Sequence, residues 1–420
     1  MGFAKEQMME DESRGFNTVG NKYVCSECVT DYALKAFVRA NASETACSYC
    51  KSSSKRPIAV QIDLIIEKIL DGIKFEWGDP NNEGLPWESA EGGWILFPGS
   101  PVSNTYEILQ ELEVTDSQKL LEDIDYSIHN DEWCQKDYFS LSPKDVLIYS
   151  WREFREKVMH KTRYLFMNER DTDIQNQSSE ILSPQQMLRF IGDMVRKIGL
   201  VRAIPMGTKF LRARPRKLEI ISAANLGPPP EKDAKDSNRM SPAGIPMFYG
   251  AFGEEIVIAE TRDKKACCAT IGTFCSLKEF RAVDLTDFPP VPSLFDTETR
   301  ELRASIMFLR SFAKDLSRPI DKDGREHIEY VPTQIVTEYF RRLFLDSHGD
   351  HIRGIYYRSS HAPKRTGFGF TEDGLLWENN NACVLFFVNE DCCDLAEGGE
   401  YDNDKWLGLD IESVKTISFE

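Results

Sequence analysis

The sequence predicts an α+β protein: a mainly helical N-terminal domain over residues 1–170, stapled by cysteines, followed by a mixed α/β domain over 205–400. Three observations lead there. Two Cys-x-x-Cys pairs, Cys25/Cys28 and Cys47/Cys50, are followed by apolar residues at helical spacing as far as Phe166. After Pro205 the pattern becomes short apolar runs broken by polar residues, which reads as strands. Between the two, Asp171 to Glu180 is polar and aperiodic, so 171–204 is expected to be a linker with a connecting helix, and 401–420 a C-terminal tail.

The cysteine pairs are separated by 18 residues, a spacing typical of four-thiolate zinc sites. Each pair can turn both sulfurs toward one ion, and two such turns complete a tetrahedron. The zinc module spans about 20–52, with a short helix from Asp31 to Ala40 offering Tyr32, Leu34, Phe37 and Val38 for packing. Four protein ligands leave no open position, so the expected zinc is structural.

Pro57 to Leu70 reads as a helix with Val60, Leu64 and Ile65 on one side, and Ser103 to Leu121 as a second, acidic one. The Gly-, Pro- and Trp-rich stretch from Gly78 to Pro101 is expected to be irregular. Ser142-Pro143 starts a helix that places Trp151, Phe154, Val158 and Leu165 on one face. Pro184 to Ile198 is helical again. Beyond Pro205, Phe210–Leu211 and Leu218, Ile220 and Ile221 suggest strands, and Gly227 to Asn238 a loop holding three consecutive prolines. Thr333 to Phe344 is amphipathic, with Ile335, Val336, Tyr339, Phe340, Leu343 and Phe344 turned inward. Ile352 to Tyr357 and Cys383 to Val388 are apolar strands.

Composition bounds the function. A chain of 420 residues, 41% hydrophobic and 28% charged, exceeds one ordinary core. No apolar run approaches the roughly 20 residues of a membrane span, and the opening Met-Gly-Phe-Ala-Lys-Glu has no apolar signal core, so a cytoplasmic protein is expected. A net charge of −17 argues against a broad nucleic-acid footprint; an anionic ligand must be met by local arginines. Eleven cysteines, mostly scattered, suit a reducing compartment without structural disulfides.

Conventional catalytic patterns are missing: no Gly-x-Ser-x-Gly elbow, no Walker loop, no His-Glu-x-x-His. Gly367-Phe-Gly369 lacks a third glycine at the right distance, and His348 and His351 flank what reads as a turn. Charged and hydroxyl residues on apolar elements are more informative, because burying them requires partners. Arg212 lies in Phe210-Leu-Arg-Ala-Arg214, where alternation aims Arg212 and Arg214 to one face. Arg239 follows a loop and precedes a rigid Pro-Ala-Gly-Ile-Pro turn. Tyr249 sits in Met247-Phe-Tyr-Gly-Ala251, and Glu260 closes the apolar stretch Ile256 to Ala259.

Taken together, the chain from Phe210 to Val388 resembles the RES domain family of NAD-degrading toxins. The resemblance is carried by Asn238-Arg-Met-Ser-Pro-Ala-Gly-Ile-Pro-Met-Phe-Tyr-Gly-Ala251 and by Gly354-Ile-Tyr-Tyr-Arg-Ser-Ser360, preceded by Arg212 and with Glu260 between. Residues 1–170 resemble the zinc-bearing, HEPN-associated region found before some RES domains. The resemblance implies a fold similar to ADP-ribosyltransferases and cleavage of NAD at the nicotinamide–ribose bond, by phosphate or by water. It implies Glu260, Arg239, Tyr249 and Ser359 as catalytic residues. Arg212, Arg239, Tyr249 and Ser359, with Ser360 as the alternative hydroxyl, would hold the dinucleotide. A growth-arresting toxin or phage-defence effector restrained by a neutralising partner would follow, and a homo-oligomer is compatible.

Two other readings compete. A protein ADP-ribosyltransferase would use the same chemistry on a side-chain acceptor. Arg155-Glu-Lys-Val-Met-His160 matches the arginine, four residues, histidine pattern of HEPN ribonucleases, with both residues expected on one helix. The N-terminal unit itself suits a recognition or oligomerisation module.

Overall fold

A computed structural model describes residues 3–90, 92–96, 102–166, 180–261, 266–318, 325–360, 380–395 and 402–419. Residues 171–179 of the expected linker and Gly367-Phe-Gly369 lie outside them. The chain divides into two compact units, one of Met1–Val146 with Pro290–Ala304, the other of Leu147–Pro289 with Ser305–Glu420.

In the first unit β1 (Tyr23–Cys25) pairs antiparallel with β2 (Ala59–Gln61). Between them runs α1 (Tyr32–Asn41), started by Asp31, whose carboxylate accepts from the amides of Ala33 and Leu34 and so satisfies otherwise orphaned donors. The helix expected from Pro57 begins later: Val60, β-branched, pairs with Val24 in the ladder, and α2 (Ile62–Glu76) follows, burying Ile62, Ile65, Ile66, Ile69 and Ile73. The acidic segment forms two helices, α3 (Thr105–Glu111), opened by an Asn104/Glu107 capping box, and α4 (Gln118–Ser127). The stretch read as irregular contains a small hairpin in which Trp87 and Trp94 meet edge to face at 5.0 Å.

The segment 290–304 departs from the expected domain limits. The sequence places it within 205–400, yet Phe295 is buried in the core of the first unit. Gly72 makes room for it, since a Cβ there would collide with the Phe295 ring. Arg300 and Arg303 pair with Asp71 and Glu76 at 2.7 and 3.2 Å.

The second unit holds α5 (Pro143–Glu156, from Leu147 on), α6 (Pro184–Lys197), β3 (Val201–Ile204), β4 (Lys209–Arg214), β5 (Phe248–Ala251) and α7 (Glu254–Thr261). It continues with β6 (Cys268–Ser276), β7 (Phe280–Asp284), α8 (Arg303–Ser317, from Ser305 on), α9 (Val331–Arg342), β8 (Gly354–Arg358), β9 (Asn381–Leu385), β10 (Cys392–Asp394) and β11 (Leu407–Ser418). The strands form one 9-stranded sheet in the order β10-β11-β6-β4-β5-β9-β8-β7-β3. Two neighbouring pairs, β7/β8 and β10/β11, are parallel and the others antiparallel, so the sheet is mixed.

Alternation separates its faces. Leu211, Tyr249, Ala251, Val283, Ile355, Tyr357 and Val384 join an apolar cluster with residues of α6, α8 and α9. Phe210, Phe248, Ala282, Tyr356, Cys383 and Leu385 join another, with Leu226, Leu407 and Leu409.

Two expectations are corrected here. Residues 401–420 are not a tail: β11 pairs with β6 from Leu407–Ser276 to Ser418–Cys268. Its second half is largely exposed and polar, which hides the strand pattern. Leu218, Ile220 and Ile221 form no strand; they lie in an irregular stretch, with Ile220 68% exposed. In α9 the inward face matches expectation at Val336, Phe340 and, just past its end, Phe344, whereas Leu343 is 61% exposed.

Candidate active site

The side chains of interest gather on the sheet face covered by α6, α8 and α9. β5 delivers Tyr249, whose hydroxyl lies 2.9 Å from Ser241 Oγ and accepts from the Met240 amide at 3.3 Å. Burial pushes its phenol up to about 12. Gly253 turns the chain from β5 directly into α7, with Ile256 and Val257 facing the core and Glu260 exposed in the last turn. A carboxylate there opposes the helix dipole, so Glu260 sits against its local preference. Its compensation comes from Ser359, buried just beyond β8, whose Oγ donates to Glu260 Oε1 at 2.6 Å.

Around Ser359 the strand period continues. Tyr357, two residues earlier, is buried on the same face, while Arg358 is turned away and donates from Nε to the Thr286 carbonyl at 3.0 Å. Burial, then Glu260, hold the Tyr357 phenol well above its ordinary value, with Arg239 acting in the opposite sense. Tyr330, half-buried at the start of α9, is also held up by burial, and both Arg239 and Glu260 act on it. Ser360 is exposed in a turn.

Arg239 is placed by α8 and α9. Its Nη1 donates to the carbonyl of Ser317, the last residue of α8, at 2.8 Å. The Thr333 hydroxyl donates to the Arg239 carbonyl, and the buried Gln334 amide to Ser237 Oγ and the Asn238 carbonyl, each at 2.8 Å. The first turn of α9 thus fixes the backbone on either side of the arginine. Its Nε and Nη2 have no hydrogen-bond partner among the described residues.

Arg212 is elsewhere. Its guanidinium lies on the opposite face of the sheet, over the Phe248 ring at 5.0 Å, and donates to the carbonyls of Leu226 at 2.8 Å, Tyr249 at 2.7 Å and Gly227 at 3.2 Å. Burial, with Arg214 beside it, brings its pKa down to about 9. Arg212, expected to grip a dinucleotide, is not brought to the face of Tyr249 and Ser359: it is 6% exposed and holds backbone, including the carbonyl of Tyr249 itself. Alternation foretold that Arg212 and Arg214 share a face, and both do reach Gly227.

The sequence therefore located four members of the cluster and passed over Tyr357, Tyr330 and Ser241. Tyr357 was accessible by counting back two residues from Ser359. Tyr330 comes from the start of α9, and no local pattern marks it. Of the ribonuclease pair, Arg155 bonds Asp315 at 3.1 Å, beside Trp151 Nε1 on the same oxygen at 2.9 Å, and His160 is exposed in a π-turn.

The four cysteines of the first unit do converge. The sulfurs of Cys25, Cys28, Cys47 and Cys50 all lie within 4.8 Å of one another, with Cys25–Cys28 at 3.7 Å, Cys25–Cys50 at 3.5 Å and Cys28–Cys47 at 3.6 Å. A tetrahedron with Zn–S bonds of about 2.3 Å has edges of about 3.8 Å, so the cluster fits the ion. Burial pushes the Cys25 thiol up to about 11, and Cys28 is raised by the same cause. A divalent cation would supply the charge that lets these buried sulfurs lose their protons. Tyr49, between Cys47 and Cys50, ties the cluster to α4 through a 2.7 Å bond to Asp123, which Lys22 also holds at 2.7 Å.

Among the described residues no helix is long and apolar enough to cross a membrane. No curated protein and no solved structure matches the chain. Two protein families do, HEPN/RES N-terminal domain 1 over residues 40–172 and the RES domain over residues 210–389. The second match contains Arg239, Tyr249, Glu260 and Ser359, and the first begins between the two cysteine pairs. The chain thus carries a RES domain, preceded by a HEPN/RES N-terminal domain.

Proposed function

We propose that the protein cleaves NAD between nicotinamide and ribose, in a domain related to ADP-ribosyltransferases. The observation that carries this reading is the Ser359–Glu260 pair, a carboxylate held at 2.6 Å whose charge, with that of Arg239, acts on the phenols of Tyr357 and Tyr330. In this reaction the bond from ribose C1 to the nicotinamide nitrogen breaks and its electron pair leaves with nicotinamide, which becomes neutral. The ribosyl group passes through an oxocarbenium-like state. Glu260 faces that positive charge and stabilises it, while Ser359 fixes the carboxylate's orientation. Arg239, with Nε and Nη2 open, binds a phosphate oxygen of the dinucleotide and supplies the local positive charge that a chain of net −17 otherwise lacks. An oxygen nucleophile then bonds to C1: phosphate gives ADP-ribose 1″-phosphate, and water gives ADP-ribose after losing a proton to Glu260 or solvent.

The zinc cluster stands outside this chemistry as a structural staple of the N-terminal region. A cytoplasmic enzyme that depletes NAD arrests growth, so the proposal extends to a toxin or phage-defence effector under restraint by a protein partner. Incubating purified protein with NAD, with and without phosphate, and identifying products by mass spectrometry tests the reaction and its acceptor. Loss of NAD that requires an added protein substrate, with ADP-ribose appearing on its side chains, would instead establish an ADP-ribosyltransferase. Intact NAD under all these conditions overturns the proposal.

A further inference from the structure

The proposed reaction needs a flat surface against the ring that is expelled, and Tyr249 is poorly disposed to give one. Its hydroxyl is engaged by Ser241 and Met240, and its ring packs against the main apolar cluster. Tyr330 differs on each point. It is half-buried, belongs to no apolar cluster, and its hydroxyl has no hydrogen-bond partner among the described residues. Its placement is nevertheless fixed. Thr333 Oγ1 bonds both the Tyr330 carbonyl, at 2.8 Å, and the Arg239 carbonyl, so one hydroxyl ties the tyrosine's backbone to that of the arginine. Arg239 and Glu260 are also among the charges that act on the Tyr330 phenol. The ring thus belongs to the same cluster as the open guanidinium and the carboxylate.

Resting on the NAD reading, we propose that Tyr330 is a substrate-contacting residue whose ring stacks on the cationic nicotinamide and selects the oxidised, planar, positively charged form of the dinucleotide. An aromatic face attracts a planar cation by its quadrupole. Dihydronicotinamide is uncharged and puckered, so it forfeits that attraction. The interaction is made in the Michaelis complex and is kept while the departing ring still carries most of its charge, so its loss falls on KM and leaves kcat nearly unchanged.

The experiment measures NAD consumption by full-length Tyr330→Ala, Tyr330→Phe and Glu260→Gln proteins beside the parent, with NADH as a competing ligand and thermal melting as the control for folding. Removing the ring is expected to raise KM for NAD about ten-fold with kcat within about two-fold, leaving inhibition by NADH unchanged, whereas the phenylalanine keeps the parent KM. Tyr330→Ala with the parent KM, while Glu260→Gln is inactive, overturns the role of Tyr330 and leaves the NAD reading standing. An equal rise in KM for NAD and inhibition constant for NADH overturns the charge selection. A Tyr330→Ala protein that melts far below the parent is replaced by the phenylalanine and by Tyr330→Leu, whose KM must rise if an aromatic face is what matters. A parent that leaves NAD intact overturns both readings.

Discussion

Ser359 Oγ donates to Glu260 Oε1 at 2.6 Å, joining two residues 99 positions apart in sequence. The bond orients one carboxylate oxygen and leaves the other without a hydrogen-bond partner among the described residues. Deleting the hydroxyl should therefore impair catalysis less than deleting the charge. Ser359→Ala is expected to lower kcat for NAD cleavage about ten- to a hundred-fold, and Glu260→Gln about a thousand-fold or more, with little change in KM. Steady-state kinetics decide it. Equal, small effects of the two changes would remove the pair from the mechanism.

The two arginines should separate cleanly. Arg212 is buried and bonds three backbone carbonyls, a geometry that the single ammonium of lysine cannot reproduce. Arg212→Lys is expected to destabilise the protein by about 3 kcal/mol, read as a lower urea midpoint, because carbonyls are left buried without partners. Arg239→Lys should keep the parent midpoint and raise KM for NAD about ten-fold or more, since a point charge replaces the fork proposed to hold phosphate. The opposite pattern would return Arg212 to the binding site.

Zinc should matter to folding rather than to the chemical step. Chelation, or Cys47→Ser, is expected to release close to one zinc per chain, by elemental analysis, and to loosen the first unit. Tyr49 and Asp123 connect the cysteine cluster to α4, so amide exchange should rise in α1 and α4 together. Zinc retained at full stoichiometry in Cys47→Ser would place the ion elsewhere.

Much of this was legible in the sequence because it is local. A Cys-x-x-Cys turn converges two sulfurs by itself, and Arg239, Tyr249 and Glu260 lie on adjacent elements joined by short connections. What escaped needed the sheet. Whether Arg212 faces the same side as Tyr249 depends on register: Ala251 pairs with Leu211, so Tyr249 and Leu211 share one face and Arg212 is turned to the other. The strand at 407–418 escaped because only its first residues are buried, and Tyr330 because its neighbours Arg239 and Glu260 come from distant segments. Period-2 and period-3.6 patterns report burial, and they are silent on a residue that stays half-exposed at the end of an element.

Tyr249 also makes the stability of the second unit depend on pH in a stated direction. Its phenol is raised by burial from 10 to about 12, so the folded state holds the proton more tightly than the unfolded chain does. That contribution is fully present below pH 10 and erodes as pH rises from 10 through about 12, because only the unfolded chain gains the favourable ionisation. Tyr249→Phe loses the bonds to Ser241 and the Met240 amide and should be less stable than the parent near neutrality. It escapes the alkaline penalty, however, so the gap in urea midpoint between the two proteins should narrow as pH is raised above 10. Parallel curves across that range would mean that Tyr249 ionises as freely in the folded protein as in the unfolded one, and that its hydroxyl is open to solvent.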